Sequence, residues 1–157
     1  MHQSPGEDLS TALALADRCV ALNPGYARGW YFRGMLRIFA GQCDAAIEPL
    51  ETSLRLSPHE VLATPRHSLG MAHFLSRRFE RAAELLSQSM RQYTSPLTYR
   101  ALASCYAHMG RLDEARAIVE RLWAITPNVM PSFLPYRDPT QRELYLSRLR
   151  LAAGEET

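Results

Sequence analysis

Lysine is absent from the chain: all eighteen basic residues are arginine, against sixteen acidic residues. One interpretation is that the guanidinium groups recognise phosphate or nucleic acid. The alternative is a GC-rich genome that favours arginine codons, and the scattering of the arginines among acidic residues supports it. The net charge of +2 also lacks the concentrated positive charge typical of nucleic-acid binding. We therefore expect no direct contact with nucleic acid.

Cysteine is scarce, and its spacing matches no metal or disulfide pattern. Cys19, Cys43 and Cys105 lie far apart, and the chain has no Cys-x-x-Cys motif. His67 and His73 are six residues apart, so they do not share a helix face as ligands at i and i+4 do. The sequence predicts no metal site and no cofactor.

Long apolar runs and catalytic motifs are missing as well. No stretch approaches the roughly 18 to 20 apolar residues of a membrane span, and residues 1–8 lack the basic start and apolar run of a signal peptide. The chain has no Gly-x-Gly-x-x-Gly, no phosphate loop and no Gly-x-Ser-x-Gly elbow. We expect a cytoplasmic protein without membrane contact, without catalytic residues and without enzymatic activity.

What the chain does contain is a repeat of small residues with a period near 34. Ala12, Ala46, Ala82 and Ala115 follow one another at steps of 34, 36 and 33 residues, and Gly34, Gly70 and Ala103 follow at steps of 36 and 33. A period of this length, with small residues at fixed places, is typical of a solenoid built from helix-turn-helix units. Small residues allow the two helices of such a unit to cross closely.

The residues around these positions resemble the tetratricopeptide repeat (TPR). That pattern has an aromatic residue, Leu-Gly and Tyr in the first helix, and then small, apolar, small and Pro in the second. The third unit matches it best, with Tyr99, Leu102, Ala103, Tyr106, Ala115, Val119, Leu122 and Pro127. The resemblance implies an all-α fold, a right-handed TPR-type superhelix of antiparallel helix pairs with a C-terminal capping helix.

The first unit departs from the pattern at two places. Arg33 and Arg37 stand where the repeat has an apolar residue and a tyrosine. Arginines at packed positions need a carboxylate nearby. Asp17 and Glu48 are the two candidates that the sequence offers.

We expect one domain that spans residues 1–157. Its predicted parts are the second helix of a truncated repeat at 7–22, full repeats at 26–58, 63–94 and 96–127, an irregular segment at 128–137 and a capping helix at 138–153. By register, the first helix of the truncated repeat would precede residue 1, so we expect the chain to begin inside a larger array. We expect the irregular segment to lie over the last hairpin and the capping helix to seal the end of the core.

Residues 135–143 indicate a resemblance to one subgroup of TPR arrays. The stretch Pro135-Tyr-Arg-Asp-Pro139, followed by Arg142-Glu143, resembles the end of certain proteobacterial TPR arrays. In that group the array follows either a nucleotide cyclase domain or a winged-helix DNA-binding domain. The resemblance therefore implies, as one hypothesis, a bacterial regulatory or sensor domain that acts in cis or through dimerisation.

The main hypothesis is a non-catalytic scaffold that binds a partner protein or peptide in a concave groove. The resemblance assigns the fifth, ninth and twelfth positions of each unit to this groove: Tyr31, Met35, Ile38, His67, Met71, Phe74, Arg100, Ser104 and Ala107. Their mostly apolar composition suits an amphipathic helix or an extended segment. The alternative for part of this set is packing between adjacent hairpins. A further hypothesis is homodimerisation through the unpaired flank of the first helix.

Overall fold

The computed structural model describes residues 5–59 and 64–155. These residues form α-helices and no β-strand: α1 Pro5–Leu22, α2 Ala27–Phe39, α3 Cys43–Leu56, α4 Pro65–Leu75, α5 Phe79–Gln92, α6 Pro96–His108, α7 Leu112–Trp123 and α8 Pro139–Ala152. The predicted start of the second repeat at residue 63 lies outside the described residues. Within them, no helix combines the length and the apolar character needed to cross a membrane.

Three antiparallel hairpins follow one another along the chain. They are α2–α3, α4–α5 and α6–α7, and each second helix packs against the first helix of the next hairpin. Pro65 and Pro96 begin α4 and α6, where a proline fits because the first helical N–H has no intrahelical partner. Gly41 and Gly110 have φ of +81° and +75° in the turns of the outer hairpins. The middle hairpin uses Arg77 at φ 60° in the same place, a conformation that favours glycine.

The two helices of a hairpin touch at small residues, as the repeat predicts. A Cβ added to Gly34 would lie 2.5 Å from Leu50 Cγ and 3.2 Å from the carbonyl oxygen of Ala46. A Cβ on Gly70 would lie 2.8 Å from Leu86 Cγ. Ala46 is completely buried, and so are its equivalents in the other two hairpins, Ala82 and Ala115. The all-α solenoid of antiparallel pairs is confirmed.

The two arginines of the first hairpin share one carboxylate. Arg33 Nε donates to Asp17 Oδ1 at 2.6 Å, and Arg37 Nη2 donates to the same oxygen at 3.3 Å. Since Asp17 belongs to α1, these bonds attach α1 to α2. Of the two candidate carboxylates, Asp17 is confirmed; Glu48 instead accepts a hydrogen bond from Thr52 at 3.4 Å.

The C-terminal part of the chain extends farther than expected. Residues 128–137 begin beside α6, but the N–H of Arg137 donates to the carbonyl of Phe39 at the end of α2, 3.4 Å away. Helix α8 then returns and packs mainly against α6, with smaller contacts to α4 and α7. The Tyr145 ring of α8 lies 5.9 Å from the Phe74 ring of α4. Our expectation that residues 128–137 lie over the last hairpin holds for their start, which contacts α6, and is wrong for Tyr136 and Arg137, which contact Phe39 of α2.

Candidate functional site

The first helices α2 and α4 line an apolar cavity on one side, and residues 133–136 close it on the other. Its volume is about 190 Å³. Five of the nine predicted groove residues lie in its wall: Tyr31, Met35, Ile38, His67 and Met71. The structure thus brings together five of the six predicted residues of the first two repeats.

The rest of the wall comes from further residues of α2, from α4 and its N-cap residue, from α6 and α8, and from residues 133–136. These residues are Phe39, Thr64, Ser68, Leu97, Phe133, Leu134, Pro135, Tyr136 and Tyr145. Among the lining residues that the structure describes, none carries a formal charge at pH 7. Residues 133–136 were not among the predicted groove residues. Their signal was an apolar stretch without helical periodicity, which needs a surface on which to be buried.

His67 is the one ionisable imidazole in the described wall. Its Nδ1 lies 3.0 Å from the hydroxyl oxygen of Thr98 on α6. The ring is packed on most sides, and this burial lowers the pKa of His67 to about 4. The imidazole is therefore neutral at pH 7, and the cavity offers hydrogen bonds without offering a charge.

Phe74 lies in the core rather than in the cavity wall. It is completely buried, and its ring makes edge-on contacts with Phe79 at 5.5 Å, His108 at 5.5 Å and Tyr145 at 5.9 Å. The Phe79 and His108 rings stack on each other at 4.4 Å. This cluster holds α4, α6 and α8 together.

Two of the three predicted residues of the third repeat, Arg100 and Ser104, contact the chain's own C-terminal part. Arg100 donates from Nε to the Val129 carbonyl and from Nη2 to the Asn128 carbonyl, both at 2.6 Å. Ser104 Oγ donates to the carbonyl of Tyr145 at 2.9 Å, and Ala107 is buried. The C-terminal part thus covers this end of the concave face. Whether any of the nine residues contacts a partner stays a prediction.

The buried cysteine of α6, Cys105, is not activated as a nucleophile. Burial raises the pKa of Cys105 to about 12, so its side chain is a thiol at neutral pH. Its sulfur donates to the carbonyl of Phe79 at 2.9 Å. Among the described residues, no cluster of three or more His, Cys, Asp or Glu has the arrangement needed to hold a metal ion.

The arrangement of paired helices around a concave face defines a class of protein, the helical-repeat solenoids of TPR type. Residues 73–132 match the sequence model described as Tetratricopeptide repeat. The fold is similar to that of MamA, with a TM-score of 0.70 and 20% identity over 98% of this chain and 95% of MamA.

A second MamA structure gives a TM-score of 0.71 with 19% identity, covering 95% of this chain and 85% of that one. The thermophilic TPR protein TTC0263 of Thermus thermophilus gives 0.66 with 24% identity, covering 90% of this chain and 73% of that protein. No curated protein matches the sequence. At these identities the likeness establishes the fold, which is the TPR solenoid.

Proposed function

We propose that the protein is a non-catalytic scaffold that binds a partner protein or peptide at the α2–α4 end of its concave face. The observation that carries this proposal is the apolar cavity lined by Tyr31, Met35 and Met71. Two large apolar side chains at its edge are solvent-exposed, Leu97 by 55% and Phe133 by 76%. Contiguous apolar surface of this kind is typical of protein-interaction sites.

The chemistry of the cavity favours binding over catalysis. Acid-base catalysis needs a group that gains or loses a proton near the operating pH, and His67 is held neutral by burial. The hydroxyls of Thr64 and Ser68 lie in the wall without a described charged neighbour there to activate them. A concave surface with apolar walls and a few neutral polar groups suits an amphipathic helix or an extended segment of a cytoplasmic partner.

A charge placed in the cavity wall tests the proposal. Met35 is half-buried in the wall, so Met35→Glu should put a carboxylate in an apolar contact and weaken partner binding at least tenfold, because burying an unpaired charge is costly. The control is Leu56→Glu, which makes the same charge change at an exposed leucine of α3 outside the cavity. Equal affinities for the two folded variants would count against the proposal.

The second candidate is a regulatory or sensor domain of a larger bacterial nucleotide cyclase or transcriptional regulator, acting in cis or as a homodimer. The observation that favours a self-association surface is the outer face of α1, where Leu15 and Leu22 are 62% and 76% exposed. In the described part of the chain, α1 packs against α2 alone. Light scattering across a concentration series tests this candidate. Dimers that dissociate in Leu15→Glu with Leu22→Glu would support it, and a monomer at every concentration would count against it.

A further inference from the structure

The size of the cavity limits what it can hold. Its volume of about 190 Å³ is smaller than the roughly 300 to 1,000 Å³ of sites for drug-sized ligands. An apolar protein cavity of about 150 Å³ binds benzene. The cavity therefore has room for one six-membered ring or an indole, and too little room for a nucleotide or a similar cofactor.

The charge of the cavity restricts its occupant further. The described wall combines apolar side chains with neutral hydroxyls and a neutral imidazole. A charged group brought into this surface would lose its hydration without gaining an opposite charge in the described wall. A neutral ring loses only apolar hydration, which favours binding. A phenyl or indole group fits this wall better than a carboxylate or an ammonium group does.

The chain itself demonstrates how this face accepts aromatic rings. Two tyrosines of the C-terminal part lie beside the cavity, Tyr136 from residues 128–137 and Tyr145 from α8. The Tyr136 ring lies 6.5 Å from the Phe39 ring, and the Tyr145 ring lies 5.9 Å from the Phe74 ring. Both tyrosines are buried, and both also line the cavity. A ring entering the cavity would therefore extend an existing aromatic row.

We propose that the cavity takes one neutral aromatic side chain, phenylalanine or tryptophan, from the partner protein, next to the chain's own Tyr136 and Tyr145. This inference rests on the proposed scaffold function and names the chemistry of the partner's contact. The aromatic side chain would be the anchor, because large rings buried in a pocket near the centre of an interface contribute most of its binding energy.

Methionine methyl groups provide a direct probe. Met35 and Met71 lie in the cavity wall, whereas Met90 on α5 and Met109 after α6 lie outside it. In protein labelled with ¹³C at the methionine methyls, N-acetyl-phenylalaninamide should shift the Met35 and Met71 resonances in a saturable way. Met90 and Met109 should stay unchanged.

Blocked amino acids with other side chains complete the titration. The alanine, lysine and glutamate equivalents of the phenylalanine compound should bind about tenfold more weakly or worse, since they bury less apolar surface or bring a charge. Equal binding of all four compounds, or phenylalanine shifts that are as large at Met90 and Met109 as in the wall, would overturn the inference. This titration uses the wild-type protein, so it does not depend on the folding of a variant.

A matched pair of variants adds a second test. Met35→Trp puts an indole into the cavity and should abolish the shift of Met71, whereas Met90→Trp makes the same substitution outside the cavity and should leave it intact. If the phenylalanine compound fails to bind while Met35→Glu still weakens partner binding, the scaffold function stands and the aromatic anchor is wrong. If Met35→Glu leaves partner binding unchanged, the scaffold function itself fails.

Discussion

Replacing Gly34 by alanine tests the close crossing of α2 and α3. The new Cβ would lie 2.5 Å from Leu50 Cγ and 2.8 Å from its Cδ2. Carbon atoms at that distance overlap strongly, and Leu50 is completely buried, so its side chain has little room to move. The backbone or the leucine must shift, and the hairpin must lose packing.

Two effects of opposite sign set the size of the change. Overpacking a core contact costs about 1 to 3 kcal/mol. Alanine is favoured over glycine inside a helix by about 1 kcal/mol. We therefore expect Gly34→Ala to lower the free energy of unfolding by about 1 kcal/mol. In a Leu50→Ala background the overlap disappears, and the same change should raise the free energy of unfolding by about 0.5 kcal/mol, since the Ala46 carbonyl still lies 3.2 Å away.

Urea unfolding followed by circular dichroism measures this double-mutant cycle. The matched control is Ala103→Gly in the third hairpin, where the native residue already carries a Cβ at the equivalent position and is buried. That change should cost about 1 kcal/mol of helix propensity without relieving any overlap. Stabilisation by Gly34→Ala in both backgrounds would refute the close crossing and the repeat register on which it depends.

Three further predictions concern the core, a turn and a histidine. Phe74→Ala should lower the free energy of unfolding, measured by urea unfolding, by about 3 to 5 kcal/mol, because it removes the central ring of the aromatic cluster that joins α4, α6 and α8. A loss below about 1 kcal/mol would contradict the burial of Phe74. Arg77→Gly should raise the melting temperature, because a φ of 60° strains arginine but not glycine. A lower melting temperature of the variant would contradict the strain at Arg77. The folded pKa of His67, about 4, lies below its ordinary 6.5. The contribution of His67 to the free energy of unfolding is therefore complete above pH 6.5 and declines as the pH falls towards 4. In urea titrations at several pH values, His67→Gln should reduce this decline of the free energy of unfolding. An unchanged decline in the variant would contradict the prediction.

The hairpins could be predicted from the sequence because their signals are local and repeated. The spacing of Ala46, Ala82 and Ala115 fixes where the helices cross, and the prolines at 65 and 96 mark where two of them begin. The bond from Arg33 to Asp17 could be anticipated because an arginine at a packed position needs a carboxylate, and α1 offers one.

The path of the C-terminal segment could not be predicted in the same way. Residues 128–137 have no helical period, and their contacts, such as the N–H of Arg137 with the carbonyl of Phe39, join distant parts of the chain. Arg100 and Ser104 bind backbone carbonyls, which any residue could supply, so the sequence carries no trace of the pairing. These contacts lay the C-terminal part across the concave face, and the cavity lies between it and the helices α2 and α4.

Site-specific photo-crosslinking measures most directly whether the cavity and its edge bind the partner. A photoreactive phenylalanine replaces Met35 in the cavity wall, Leu97 at its edge, or Leu56 on α3 outside it. We expect crosslinks to one partner protein from positions 35 and 97, and none from position 56. Crosslinks to the partner from position 56, with none from positions 35 and 97, would contradict it.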